Sequence, residues 1–278
     1  MKETELESLK GRYVYGVTPS RRRVKLGQIG IEGSEVYTIP YKDLCAIVHN
    51  CPAEPYQSSD DETVKSWART HQSVLDNAKE QFGTVIPLGF DVIIKSEDEA
   101  TSPDQVVRDW LRKDYGKLRI AMKKIQGKDE YVVQISYDPK VMSEFILKQS
   151  EQVKKIKNEM ITRSPGIAYM YKRKLEKVVK TEMESLADEW FKDFYKRIKR
   201  YPDEVVVEKT KKLKDKVMLL NLSCLMAKDK VKSLGEELEK INNREGFSVH
   251  FSGPWPPYSF VTKPTMTIPD TKGVSHVT

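Results

Sequence analysis

Two spacings of apolar residues alternate along the chain, and the changes between them mark the expected elements. Arg12-Tyr-Val-Tyr-Gly-Val17 is β-branched and aromatic, is bounded by Pro19, and reads as a strand. Val24–Ile31 and Glu35–Ile39 flank Gly33-Ser34 as the arms of a hairpin, and Leu44–His49 is a further strand closed by Pro52 and Pro55. The period then becomes helical, with Val64, Trp67, Ala68, His71, Val74, Leu75, Ala78 and Phe82 on one face. Ser59 and Glu62 form a capping box in front of this helix, and Gly83 ends it. Thr84–Ile94 is apolar enough for one buried strand despite Pro87. A second capping box, Ser102 with Gln105, opens a helix with Pro103 in its first position. Its stripe is Val106, Val107, Trp110 and Leu111, and it runs towards Ile125 with Gly116 as a candidate break.

Gly127-Lys128-Asp129 is the expected domain junction. Beyond it come a strand over Tyr131–Ser136 and a helix capped by Asp138-Pro139 and carrying Val141, Phe145 and Ile146. After Ser164-Pro165-Gly166 a long helix keeps Val179, Met183, Leu186, Trp190, Phe194 and Ile198 on one face, until Pro202 stops it. That face is too apolar to be exposed and is assigned to the core. Val205–Val207 and Val217–Met226 read as strands. Val231, Leu234, Leu238 and Ile241 mark a helix ended by Asn242-Asn243 and Gly246, and Phe247–Phe251 is a last strand. The expected class is α+β: two α/β domains of ferredoxin-like character, each with helices on one face of its sheet, the second elaborated with long helices. The boundaries are 1–128, 129–261 and a flexible polar tail, 262–278.

Composition narrows the function. The 278 residues carry 48 Lys and Arg against 41 Asp and Glu, a net +7, with the two signs interspersed almost everywhere. Arg21-Arg22-Arg23 is a pure basic run. A nucleic-acid footprint concentrates its charge, so a basic nucleic-acid-binding accessory protein is the alternative reading and not the leading one. Three cysteines without a CxxC pair argue for a reducing compartment. Met1–Lys10 is polar, and no apolar run approaches the ~18 residues of a membrane span. The expectation is therefore a soluble, intracellular protein.

The search for reaction chemistry is almost empty. Phosphate-loop and HExxH motifs are absent, and Gly27, Gly30 and Gly33 sit between strands, where turns explain them. Cys45, His49 and Cys51 are the most tempting metal set. A strand rises about 3.3 Å per residue, which puts Cys45 and His49 roughly 13 Å apart, beyond the reach of one zinc. His71 lies on an apolar stripe and reads as a core histidine. No enzyme, metal or cofactor is expected.

Gly253-Pro-Trp-Pro-Pro-Tyr-Ser-Phe260 is the exception to this blandness. Pro254, Pro256 and Pro257 fix φ and remove backbone donors, so the stretch is expected to be extended and stiff, close to polyproline II. Trp255, Tyr258 and Phe260 then either staple a domain junction or form an aromatic patch for a partner.

The same segment, continued to Val261, resembles the C-terminal signature of the gas vesicle protein F/L family (GvpF/GvpL). Tyr13-Val-Tyr-Gly16, His71 with Val74-Leu75, Thr84-Val-Ile-Pro-Leu88 and Gly166-Ile-Ala-Tyr169 are similar to its other landmarks, in family order. Gly89-Phe90-Asp91 departs from the family's Arg-Phe-Gly-Thr-like turn, which puts any role for a basic group there in doubt. The resemblance implies a non-enzymatic, cytoplasmic, vesicle-associated accessory factor or minor component. Its implied partners are the main shell protein GvpA and other gas vesicle accessory proteins, with no nucleic acid and no membrane. It would limit shell-protein aggregation during nucleation, and the family fold is two α/β domains of ferredoxin-like character.

Overall fold

In the computed structural model, which describes residues 10–96, 100–161 and 165–261, the chain divides into two compact units. One comprises residues 10–128 together with 256–261, the other residues 129–255.

The first unit is built around β1 (Gly11–Thr18), which pairs antiparallel with β4 (Leu44–Cys51) on one side. Outside β4 lie β3 (Val36–Tyr41) and the short β2 (Lys25–Gly27). On the other side of β1 sit β5 (Ile86–Pro87) and β6 (Ile93–Lys95). α1 (Asp61–Phe82) links β4 to β5. Both strands are antiparallel to β1, so they are parallel to each other with β1 between them, which is the split βαβ arrangement. α2 (Pro103–Ile125) follows β6.

Several expectations shift here for local reasons. Residues 84–94 are two short strands, because the turn between them places Asp91 at φ 65°. The N-cap of α1 is Asp60, one residue later than the Ser59 box: its carboxylate accepts from the Glu62 and Thr63 N–H groups. Ser102 caps α2 as expected, but α2 runs unbroken past Gly116. The first arm of the predicted hairpin is only Lys25–Gly27, since Ile31–Gly33 is a turn of 3₁₀ helix. The helices also cover both faces of this sheet. Tyr13, Tyr15 and Val36 enter the core with Val74, Leu75 and Ala78 of α1. Their neighbours Arg12 and Tyr37 reach the opposite way, to Asp104 of α2.

The second unit keeps the expected element order. β7 (Asp129–Tyr137) is followed by α3 (Pro139–Gln149), α4 (Glu151–Ile161) and α5 (Pro165–Ile198). Then come β8 (Glu204–Val207), β9 (Val217–Met226), α6 (Val231–Asn242) and β10 (Phe247–Trp255). The antiparallel order β10-β7-β9-β8 puts the first and third strands of the unit at the centre, as in a ferredoxin-like sheet. Tyr131, Val133, Ile135 and Tyr137 alternate into the core against Phe194, Ile198, Leu234, Leu238 and Ile241. Trp190 and Phe194 each meet the Phe247 ring edge-on at 5.1 Å. The split between α3 and α4 falls at Ser150, whose hydroxyl accepts from Val153 N–H and donates to Glu182 of α5. The predicted apolar face of α5 is fully buried only at Phe194 and Ile198; Val179, Leu186 and Trp190 are half-buried. The tail 262–278 and Ser164 lie outside the described residues.

Candidate functional site

The proline-rich segment is not one stiff rail. β10 carries the chain through Pro254 to Trp255, with a register shift between Ser252 and Trp255 and a last pairing of Trp255 with Glu130. Proline is tolerated there because β10 is an edge strand. Gly253 has φ +133°, and a Cβ on it would sit 2.7 Å from the Tyr131 ring and 2.9 Å from the Glu130 carbonyl. Pro257, with ψ 61°, leaves the polyproline region, and Tyr258–Phe260 closes as a 3₁₀ turn. The chain passes from the second unit to the first between Trp255 and Pro256.

The six predicted residues therefore separate. Pro254 and Trp255 are exposed in the second unit, and Trp255, 44% exposed, donates its Nε1–H to Ser252 Oγ at 3.2 Å. Pro256, Pro257 and Phe260 are buried, and Lys124 lies over the Phe260 ring at 5.7 Å. Tyr258 is 38% exposed. Two of the three aromatics are part-exposed, and the third is core.

The histidines belong to a buried network in the first unit. Tyr13 Oη accepts from Asp91 N–H at 3.1 Å and lies 2.8 Å from His71 Nδ1, while His71 Nε2 lies 3.2 Å from the Leu88 carbonyl. The carbonyl can only accept, so Nε2 carries the proton and Tyr13 donates to Nδ1. His49 is held likewise, by Tyr15 on Nδ1 at 2.8 Å and Tyr56 on Nε2 at 2.9 Å. Burial lowers both imidazoles from 6.5 to about 4 and raises the hydroxyls of Tyr13 and Tyr15 far above their ordinary value. Both nitrogens of each ring are committed, and the network ties the 88–91 turn and Tyr56 to β1 and β4.

The cysteines are similarly engaged. Cys45 Sγ donates to the Ser20 carbonyl at 3.3 Å, and burial pushes Cys51 and Cys224 up to about 12. Among the described residues no group of three His, Cys, Asp or Glu could hold a metal, and no helix is long and apolar enough to cross a membrane. The Arg21–Arg23 run also disperses. Arg23 pairs with Asp104 at 2.9 Å and stacks on Tyr37, while Arg21 joins Lys42 and Arg119 around Asp43.

Sequence reasoning missed a groove in the second unit. Val141, Met142 and Phe145 of α3, Leu186 and Trp190 of α5, and Phe247 line about 530 Å³, rimmed by Glu144, Lys148, Arg244 and Glu245. Its signal in the sequence was weak: Phe145 sits on an apolar stripe, yet it is 50% exposed.

A pair of ferredoxin-like α/β units with core-locked imidazoles and thiols defines a class of two-unit α/β proteins. The family model described as "Gas vesicle synthesis protein GvpL/GvpF" matches residues 11–262, and the chain belongs to that family. Gas vesicle protein L1 of Halobacterium salinarum is 28% identical over 263 residues, covering 90% of each chain. Gas vesicle protein F of a Nostoc species is 21% identical over 253 residues, covering 90% of this chain and 97% of its own. The fold is that of the GvpF crystal structure from Anabaena sp. PCC7120, with TM-score 0.73 at 20% identity, covering 91% of this chain and 98% of that one. GvpF from Microcystis aeruginosa superposes with TM-score 0.63 at 18% identity, covering 90% and 98%.

Proposed function

We propose that the chain is a non-enzymatic accessory factor or minor component of gas vesicles, acting in the cytoplasm. It binds the shell protein GvpA through apolar contacts, limits its aggregation and supports vesicle nucleation. The observation that carries this reading is the family match, which runs from residue 11 to residue 262 and so passes through both units. The geometry supports it in what it offers a partner. Trp255 and Tyr258 are exposed aromatics, and the α3–α5 groove is concave, with apolar side chains inside it and charges of both signs at its rim. A shell subunit with an apolar face stays soluble only while that face is covered.

The sheet edges offer a partner little. β10 is interrupted by Pro254, and its Val249 N–H is already taken by the Asn242 side chain at 3.0 Å. β2 spans three residues and β8 four. Contact through side chains is therefore the favoured mode. Co-expression with GvpA, followed by pull-down and vesicle counting, tests the reading. Trp255→Ala, Tyr258→Ala and Phe145→Ala are expected to keep the melting temperature within a few degrees. At least one of them is expected to lose GvpA. Normal capture and normal vesicle yield in all three variants would remove these surfaces from consideration, and failure of the unaltered chain to capture GvpA would overturn the function itself.

A further inference from the structure

The charge of the second unit is not spread over it. Residues 129–255 carry 26 Lys and Arg against 21 Asp and Glu. The described residues of α4 and the first half of α5, 151–161 and 165–180, hold eight of those cations and three of the acids, so the rest of the unit balances at 18 against 18. The two helices form an antiparallel hairpin, since Ser150 Oγ at the start of α4 meets Glu182 Oε1 of α5 at 2.6 Å. Val153 and Ile156 are its buried side.

On the outer side of α5, Tyr169 is 59% and Met170 69% exposed, followed by exposed Lys172, Arg173, Lys174 and Lys177. Among the described residues none of those four cations forms an ion pair with a carboxylate. Arg173 is already positioned, with its Nε and Nη2 donating to Tyr169 Oη at 3.1 and 2.8 Å.

We propose that this face of α5, from Tyr169 to Lys177, docks an acidic helical segment of a partner protein. Three observations choose that occupant. Arg173 and Lys177, four residues apart on the stripe that Tyr169 begins, with Lys172 and Lys174 flanking it on either side, call for carboxylates at helical spacing. Among the described residues the exposed large apolar groups of α5 lie at its start, whereas a helix lying in a bilayer surface needs an apolar face along its length. Glu176 sits among the cations and repels a phosphate backbone, while a protein helix can set a Lys or Arg opposite it. The partner is defined by chemistry and is not required to be GvpA, so the proposal and the function above fail separately.

The test uses the full chain and a fluorescein-labelled amphipathic peptide of Leu and Glu, with phosphatidylserine-containing vesicles and a DNA duplex as competing probes. The variant Lys172→Gln, Arg173→Gln, Lys174→Gln, Lys177→Gln keeps helix propensity and is expected to melt like the parent. A control neutralises the exposed Lys209, Lys211, Lys212 and Lys214 in the β8–β9 connection. The expected result is peptide binding that falls with salt and weakens about tenfold or more in the first variant, with little change in the control. The proposal is overturned by no peptide binding, by equal loss in both variants, or by vesicles or DNA binding more tightly than the peptide through the same four residues.

Discussion

His49 and His71 tie stability to pH because the folded chain holds them neutral. Burial sets their folded values at about 4 against 6.5 in the unfolded chain, so the unfolded state binds the extra protons between those limits. Their contribution to stability is therefore complete above about pH 6.5 and is lost as pH falls towards 4, where further acid adds nothing from these groups. At about 1.4 kcal/mol per pKa unit, each histidine withdraws on the order of 3 kcal/mol across that window. Urea titrations from pH 7 to pH 4 are expected to show this decline, and His71→Gln to flatten it; an unchanged slope in that variant would contradict the assignment. The aromatics of the C-terminal segment separate at the same scale. Phe260, 5% exposed, is expected to cost about 3–4 kcal/mol on replacement by Ala, as buried aromatics do. Trp255→Ala is expected to cost about 1 kcal/mol or less, because nearly half of that side chain is already in water. Equal losses would restore the stapling role for Trp255.

At the scale of elements, α1 and β1 each depend on one residue whose reason is geometric. Asp60 holds the first N–H groups of α1, and those bonds, led by the one to the Thr63 hydroxyl, also keep its carboxyl below the usual range. Asp60→Ala is expected to lower the melting temperature while Ser59→Ala leaves it unchanged; the reverse order would reinstate the Ser59 box. Gly16 lies where β5 crosses closest to β1: a Cβ would stand 2.5 Å from the Ile86 carbonyl oxygen, a backbone atom that cannot rotate away. Gly16→Ala is expected to destabilise by about 1–3 kcal/mol and to speed hydrogen exchange in β5. Retained protection at Val17 and Leu88 would show that the methyl is accommodated with the strands still paired. This close approach is a physical reason for a glycine at the end of the Tyr-Val-Tyr-Gly landmark.

At the scale of the molecule, the two units differ in how the sequence supplies them. The second is one continuous stretch, residues 129–255, with all four strands and their covering helices. The first is completed only by the chain returning from Pro256, which brings the buried Phe260. We expect a 129–255 fragment to fold alone with a single cooperative melt, and a 1–128 fragment to melt below the same unit in the full chain. Circular dichroism melts of both fragments check this. A 1–128 fragment as stable as its parent unit would mean that the returning segment contributes nothing to it.

The sequence by itself determined the α+β class, the order of strands and helices in the second half, and the caps at Ser102 and Asp138. Those features depend on residues near one another in the chain: alternation at period two, spacing near 3.6, a carboxylate or hydroxyl ahead of free N–H groups. The family landmarks were legible for the same reason. Only the tertiary structure decided that residues 84–94 are two strands and that helices cover both faces of the first sheet. It also divided the proline-rich segment into exposed and buried halves and left the first half of α5 as a basic face. Each of these depends on which distant residues meet. A stripe such as Tyr169-Met170, or an aromatic such as Phe145, looks the same in sequence whether or not another element arrives to cover it. Burial is a property of the pair of surfaces, and one strand of text carries only one of them.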